Sequence, residues 1–295
     1  MIIVGAGLAG LLAAHAWPQA AIVERAPGPE QLHHALLRFR SDAVARLTGM
    51  EFKPVMVRKG IWQNGQFVQP DICVANNYSR KTQNNNIEGE RSIWSIEPAS
   101  RWIAPETFYE QLIENVRTRV MWNNPFDYKR SAIITAPLPL SLAALEIPFD
   151  GVQFNKAPIF VIRYRVPRCN VYQTVYFPSL AHTAYRASIT GSLLIIEHAG
   201  EQPQGDWATE VERAFSIKDA EPISTMRQSY GKIADIDNVA RKDLIYQLTV
   251  KGKLYSLGRF ATWRNILLDD VVRDIDVIKR LARSSSYDHY KAANS

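Results

Sequence analysis

Cysteine is nearly missing from this chain. Its two thiols, Cys73 and Cys169, have neither the paired spacing of a metal site nor the density of a disulfide framework, so a reducing cytoplasm is the expected compartment. No apolar run is long enough to cross a bilayer, and the short one at residues 1–4 lacks the basic stretch that opens a signal peptide. No membrane partner is expected. Blocks of like charge are missing as well: 35 Lys and Arg stand against 29 Asp and Glu, a net charge of +6 spread along the sequence. That balance favours an anionic partner, either a small molecule or a group linked to nucleic acid. Zinc-finger spacing, a helix-turn-helix signature and RNA-binding aromatic motifs are not seen, nor is any internal repeat. With 295 residues, 46% of them hydrophobic, the chain can bury a full core in one large or two intertwined domains.

What is present starts at once. Residues 1–10 read MIIVGAGLAG, an apolar strand running into a G-x-G-x-x-G turn that opens a helix. In such a turn Gly5 permits the sharp bend, Gly7 lets the backbone approach a pyrophosphate, and Gly10 lets the helix pack closely on the strand. The amides at the helix N-terminus then hold the anion. A second apolar run, AAIVE, ends in Glu24, placed to accept a hydrogen bond from a ribose hydroxyl. Strand, glycine turn, short Leu/Ala helix stopped by Pro18, strand and acid follow in the order that an adenine dinucleotide site requires.

Beyond this unit the periodicity predicts a helix over 31–50, short strands alternating with polar turns over 51–98, and an amphipathic helix over 104–116. A buried strand is expected over 131–137, and the segment 152–198 is strand-rich, with β-branched and aromatic runs. Helices are expected over 205–215 and 271–282, with a strand and turn at 253–260 between them and a loosely ordered tail from 284. The histidines have no spacing that argues for a metal or a nucleophile pair, and no catalytic triad is visible.

The second informative segment is SLGRFATWRNILLDDVV at 256–272: a strand ending in a Gly-Arg turn, an aromatic stretch, then Asp269 and Asp270 before a helix. An arginine in that turn offers fixed donors to a pyrophosphate, and an Asp caps the helix. This segment resembles the C-terminal flavin-binding segment of the amine oxidase and UDP-galactopyranose mutase superfamily. SAIITAPLPL at 131–140 and TVYFPSLAHTAYRASI at 174–189 resemble its strand-then-proline segment and its substrate-domain hairpin, in the family's order. HHALLRFR, NNYSRK, ERSIW and RWIAPETF further resemble compact, phage-encoded flavin oxidoreductases of the kind that trim amino-acid adducts on thymine in DNA hypermodification. Two features depart from the superfamily: no Gly-Gly pair follows Glu24, and the chain is short.

The resemblance implies an α/β protein in which a Rossmann-like FAD-binding domain (1–50, 100–145 and 252–295) is interleaved with a β-sheet-rich substrate domain (51–99 and 146–251). It implies FAD held by Gly5, Gly7, Gly10 and Glu24, with Arg259 and Asp269 near the pyrophosphate and ribityl, and Arg40 or Arg38 supplying a phosphate contact. Substrate-lining candidates are Tyr78, Arg91, Tyr176, Tyr185, Arg186 and Trp263, aromatics to sandwich or position an amine and arginines to clamp an anion. The expected activity is oxidation of a C–N bond in a polar or anionic amine, with the flavin carrying the redox chemistry. A non-redox mutase and a non-catalytic dinucleotide-binding protein are the alternatives.

Overall fold

Two sheets are built from apolar residues at period two. The computed structural model describes residues 1–29, 38–83, 93–152, 154–167, 170–233 and 236–283. The first half runs β1 (Ile2–Val4), α1 (Leu8–Ala16), β2 (Ala21–Val23), β3 (Arg38–Phe39), α2 (Ala43–Thr48), β4 (Lys53–Gln63), β5 (Gln66–Val68), α3 (Ile72–Gln83), β6 (Ala99–Ile103), α4 (Phe108–Val116), β7 (Val120–Met121), β8 (Ala132–Ile134) and α5 (Leu138–Ala144). The second half runs β9 (Phe154–Arg165), β10 (Tyr172–Tyr176), β11 (Ala184–Thr190), β12 (Leu193–Ala199), α6 (Trp207–Phe215), β13 (Glu221–Ile233), α7 (Asn238–Gly252), β14 (Leu254–Ser256) and α8 (Leu268–Leu281).

A five-stranded parallel sheet takes the order β14-β8-β1-β2-β7. Its short strands are apolar on both faces, as a sheet covered by helices on both sides demands. Ile3, Ile133 and Tyr255 point to one face, where they pack with α1, α2, α4 and α8. Val4, Ala132, Ile134 and Leu254 point to the other, against α5 and α7. A mixed sheet of nine strands runs β13-β9-β12-β11-β10-β4-β6-β3, with β5 paired to β4. One face of it buries Val175, Ala187, Ile189, Leu194 and Ile196 beneath α6, which contributes Val211 and Ala214. The opposite face looks toward the parallel sheet's glycine turn. The chain is thus an α/β protein in which a Rossmann-like unit and a large sheet are interleaved. β3–β6 and β9–β13 belong to the large sheet and the other strands to the parallel one, so the chain crosses between sheets four times, after β2, β6, β8 and β13.

Two local expectations are corrected. Of the predicted helix over 31–50, residues 31–37 lie outside the described residues; within 38–50 the helix is confined to Ala43–Thr48, closed by Gly49 at φ +71°, and Arg38–Phe39 is a strand, because pairing with β6 overrides local helical periodicity. Within 51–98, α3 replaces a predicted run of turns and strands. Its Asn-rich sequence hides the apolar stripe of Val74, Ala75 and Tyr78, and Asp71 Oδ1 accepts from Val74 N at 2.7 Å to start the helix. β13 and α7 occupy a stretch of the sequence with no strong pattern of its own. The tail from 284 lies outside the described residues.

Candidate functional site

The glycine turn is set by close packing at two of its three glycines. Gly5 has φ +101°, and a Cβ there would stand 2.3 Å from Thr135 Oγ1. A Cβ on Gly10 would stand 1.9 Å from the Gly5 carbonyl oxygen, so only glycine lets α1 approach β1 this closely. Gly7 differs: a Cβ there meets nothing within 4 Å, and the residue lines a cavity. The fold itself does not demand glycine at that position, whereas a backbone-hugging ligand would. Glu24, at the end of β2, also lines the cavity; its Oε2 accepts from Ala6 N at 2.6 Å and its Oε1 from Ala26 N at 2.8 Å. The carboxylate therefore stands beside the turn with lone pairs left for a further donor.

Two later segments complete this end. Gly258, at φ +90°, follows β14 and packs so closely on α1 that a Cβ would lie 2.7 Å from that of Ala9. Arg259 next to it lines the cavity, its guanidinium 5.6 Å from the centroid of the Phe260 ring. At the start of α8, buried Asp269 accepts from Arg40 N at 3.2 Å, from Ser41 N at 2.9 Å and from Ser41 Oγ at 2.8 Å. This ties the segment after β3 to the N-terminus of α8, which opens on the cavity through Leu267, Leu268 and Asp269.

The cavity has a volume of about 1170 Å³ and runs without a break from the glycine turn to the large sheet. Single small-molecule sites are typically about 300–1,000 Å³, so this one is larger than the usual single site. Strand register explains its far wall. Val57 and Lys59 on β4, Ala99 and Arg101 on β6, Thr174 and Tyr176 on β10, Arg186 and Ser188 on β11, and Ile195 and Glu197 on β12 are pairs two residues apart, and all line it. Cross-strand pairing sets Thr174 beside Lys59 and Ser188, and Arg186 beside Tyr176 and Glu197. A β-bulge in β11 between Ala184 and Arg186 lets both Tyr185 and Arg186 reach Glu197, with Ala184 and Ala187 still facing the apolar core.

The wall is strongly cationic. Arg186 holds Glu197 with two hydrogen bonds, Nη2 to Oε1 at 2.6 Å and Nε to Oε2, and the Tyr185 hydroxyl donates to Oε1 at 3.1 Å. Burial alone would lower the Arg186 pKa, but Glu197 reverses this and raises it well above the ordinary value. Arg38 threads from β3 to the opposite strands: Nη1 donates to Thr174 Oγ1 at 2.5 Å, and Nη2 to Thr190 Oγ1 at 3.0 Å and the Ile189 carbonyl at 3.1 Å. Burial, then the neighbouring Arg186, push it down to about 10. Lys59 is lowered by burial and by Arg101, with Glu97 acting the other way.

Of the residues predicted from the sequence, Gly5, Gly7, Glu24, Arg259 and Asp269 come together at one end of the cavity, and Tyr176 and Arg186 stand on its far wall. Gly10 lies behind the turn as a packing residue. Arg40 turns outward to Asp270 at 2.5 Å and does not line the cavity. Tyr78 and Tyr185 form a layer behind Tyr176, with the Tyr78 ring 5.5 Å and 6.3 Å from those of Tyr176 and Tyr185. Trp263, at φ 51° and 3% exposed, is packed in the core beside α7. Arg91 lies outside the described residues. Lys59, Arg101, Thr174, Ser188 and Glu197 were not singled out in the sequence; the one signal available was polar residues interrupting apolar strands at period two. Among the described residues no group of His, Cys, Asp and Glu is arranged to hold a metal ion, and no helix is long and apolar enough to cross a membrane.

This architecture has solved counterparts. Reduced UDP-galactopyranose mutase superposes over 96% of each chain with a TM-score of 0.58 at 13% identity. The chain has the fold of UDP-galactopyranose mutase. An oxidoreductase from Methanosarcina mazei shares it over 95% of this chain and 99% of its own, with a TM-score of 0.52 at 10% identity. A triple mutant of a flavin-dependent brominase does so over 99% and 82%, with a TM-score of 0.52 at 12% identity. No protein-family model matches the chain, and no curated protein matches it in sequence.

Proposed function

We propose that this protein is an FAD-dependent oxidoreductase acting on a polar, anionic amine. The observation that carries the reading is the continuous cavity joining an open glycine turn to a polar, cationic sheet face. The residues fit the cofactor: Gly7 leaves open space where a side chain would stand, Glu24 presents a carboxylate beside the turn, and Arg259 and Asp269 line the same end. When bound, the flavin supplies two-electron exchange, here with a C–N bond of the substrate.

The chain's own residues do the rest. The parallel sheet and α1 position the dinucleotide, and the N-terminus of α8 turns its positive dipole end toward the cavity. The large sheet forms a wall of fixed donors. Arg186 is held in place by Glu197, so its guanidinium is oriented before any substrate arrives. Tyr176, backed by Tyr78, offers a ring face and a hydroxyl. The substrate is a small molecule or a nucleic-acid-linked group such as an amino-acid-modified thymine, a class that the net charge of +6 suits.

The superposition over 96% of both chains favours a mutase of the galactopyranose type as the second reading. One experiment separates them. Purified protein is scanned for flavin absorbance, the released cofactor is identified by mass spectrometry, and the holoprotein is mixed anaerobically with amines, modified thymidines among them. Bleaching by an amine supports the oxidoreductase. FAD that stays oxidised with every amine moves the assignment to the mutase, and absence of flavin after reconstitution refutes both.

A further inference from the structure

Four cations stand on the sheet wall, and they are not equivalent. Glu197 holds Arg186, and Thr174, Thr190 and the Ile189 carbonyl hold Arg38, so both are fixed in place by partners within the sheet. Lys59 and Arg101 are different. Among the described residues the Lys59 side chain makes no hydrogen bond or ion pair, and the Arg101 side chain donates only to the carbonyl of its neighbour Ser100, at 2.7 Å. Both are half-buried, on adjacent strands, and face the cavity. Glu97 lies near Lys59 but is exposed and forms no ion pair with it. Among the described residues that line it, the wall therefore holds four positive charges against the one carboxylate of Glu197. Arg101 pairs with Val55, four positions from Lys59 along β4, and the two side chains are near enough that Arg101 helps to lower the Lys59 pKa; an anion between them relieves that repulsion.

We propose that Lys59 and Arg101 form an oxyanion subsite, which anchors a carboxylate or phosphoryl group of the substrate while the rest of the molecule extends toward Tyr176 and Arg186. This rests on the reading of the cavity as a flavin-and-substrate site, and it separates two cations without a carboxylate partner from two whose positions the sheet already holds. An Arg fork beside a Lys point charge suits either oxyanion.

The test uses the flavin-loaded protein, with inorganic phosphate, pyrophosphate and malonate as probes, read by calorimetry and by the shift of the flavin absorbance band. Lys59→Met, Arg101→Met and the double variant are compared with the native chain, and the exposed Lys251→Met serves as control. Flavin content is measured on every sample. We expect saturable binding of phosphate or malonate, weakened about tenfold to a hundredfold by each single change and lost in the double variant, with flavin content unchanged. The probe that saturates names the oxyanion. A double variant that binds the probes as the native chain does, or a native chain that binds none of them, overturns the proposal. A chain without flavin whose calorimetric binding still depends on Lys59 and Arg101 would overturn the cofactor reading and leave the subsite standing.

Discussion

Substitution at the three glycines of the turn separates what the fold needs from what a ligand needs. At Gly10 an added methyl would be 1.9 Å from the Gly5 carbonyl oxygen, a backbone atom that cannot swing aside. Overpacking of this kind costs about 1–3 kcal/mol. At about 2–4 °C of melting temperature per kcal/mol for a large domain, Gly10→Ala lowers the apoprotein's melting point by about 2–12 °C. Gly5→Ala adds a strained φ of +101° to a 2.3 Å approach to Thr135 Oγ1 and falls at least as far. Gly7 has φ −71° and ψ 175°, open to any residue, with nothing within 4 Å of a Cβ. Gly7→Val changes the apoprotein's stability by no more than about 1 kcal/mol, the loss of a modest N-cap preference. Its effect is expected on the ligand, because the isopropyl group fills the open space in which the proposed cofactor's pyrophosphate would lie. The assay is thermal unfolding of the three apoproteins, followed by reconstitution with FAD and measurement of the flavin-to-protein ratio. Apoproteins are compared because bound ligand raises the melting point by mass action. A Gly7→Val protein that melts normally and takes up flavin fully would refute the placement of the cofactor; a Gly10→Ala protein that melts like the native one would refute the packing argument.

Other perturbations bear on the rest of the site. Arg259→Ala is expected to raise the flavin dissociation constant about tenfold to a hundredfold, and unchanged retention on dialysis removes Arg259 from the site. Glu197→Gln leaves the Arg186 guanidinium without its carboxylate and is expected to cost about 1.5–3 kcal/mol in urea unfolding; an unmoved midpoint would show that the pair holds nothing together. Stability should also fall in mild acid. Burial pushes His198 down to about 3 and His182 to about 4, so the native protein leaves both neutral while the unfolded chain protonates them below 6.5. Their contribution is complete above pH 6.5 and is lost as pH falls toward 4, at about 1.4 kcal/mol per pH unit for each histidine. Unfolding free energies at pH 7, 6 and 5 check this, with His198→Gln halving the slope; a flat profile over that range contradicts it.

The ends of the chain were the most legible. In MIIVGAGLAG the constraint is local: Gly5 needs a positive φ, Gly10 must clear a carbonyl five residues back, and both demands show as glycines at that spacing. The Gly258 turn before Arg259 reads the same way, as does the acid at the end of β2. Residues 38–39 and 72–83 were misread because their secondary structure depends on partners far along the chain: β3 exists through β6, and α3 through the apolar layer of Ile61, Ile93 and Tyr176.

The substrate wall shows the limit most clearly. Polar residues at period two in β4, β6, β10, β11 and β12 say only that each strand has a mixed face. Which face meets the cavity is set by register between strands more than 100 residues apart, as when Thr174 pairs with Lys59. The bulge in β11 then shifts Tyr185 onto the side of Arg186, against strict alternation. Arg38 reaches Thr174 across 136 residues of sequence. The glycine turn after β1 and the Gly258 turn after β14 were readable from the sequence, because backbone conformation at those residues demands glycine. Only the tertiary structure decided which cations face the cavity and which are already spent, because hydrogen-bond partners and strand register are long-range, and a one-residue slip would turn each of these side chains to the opposite face.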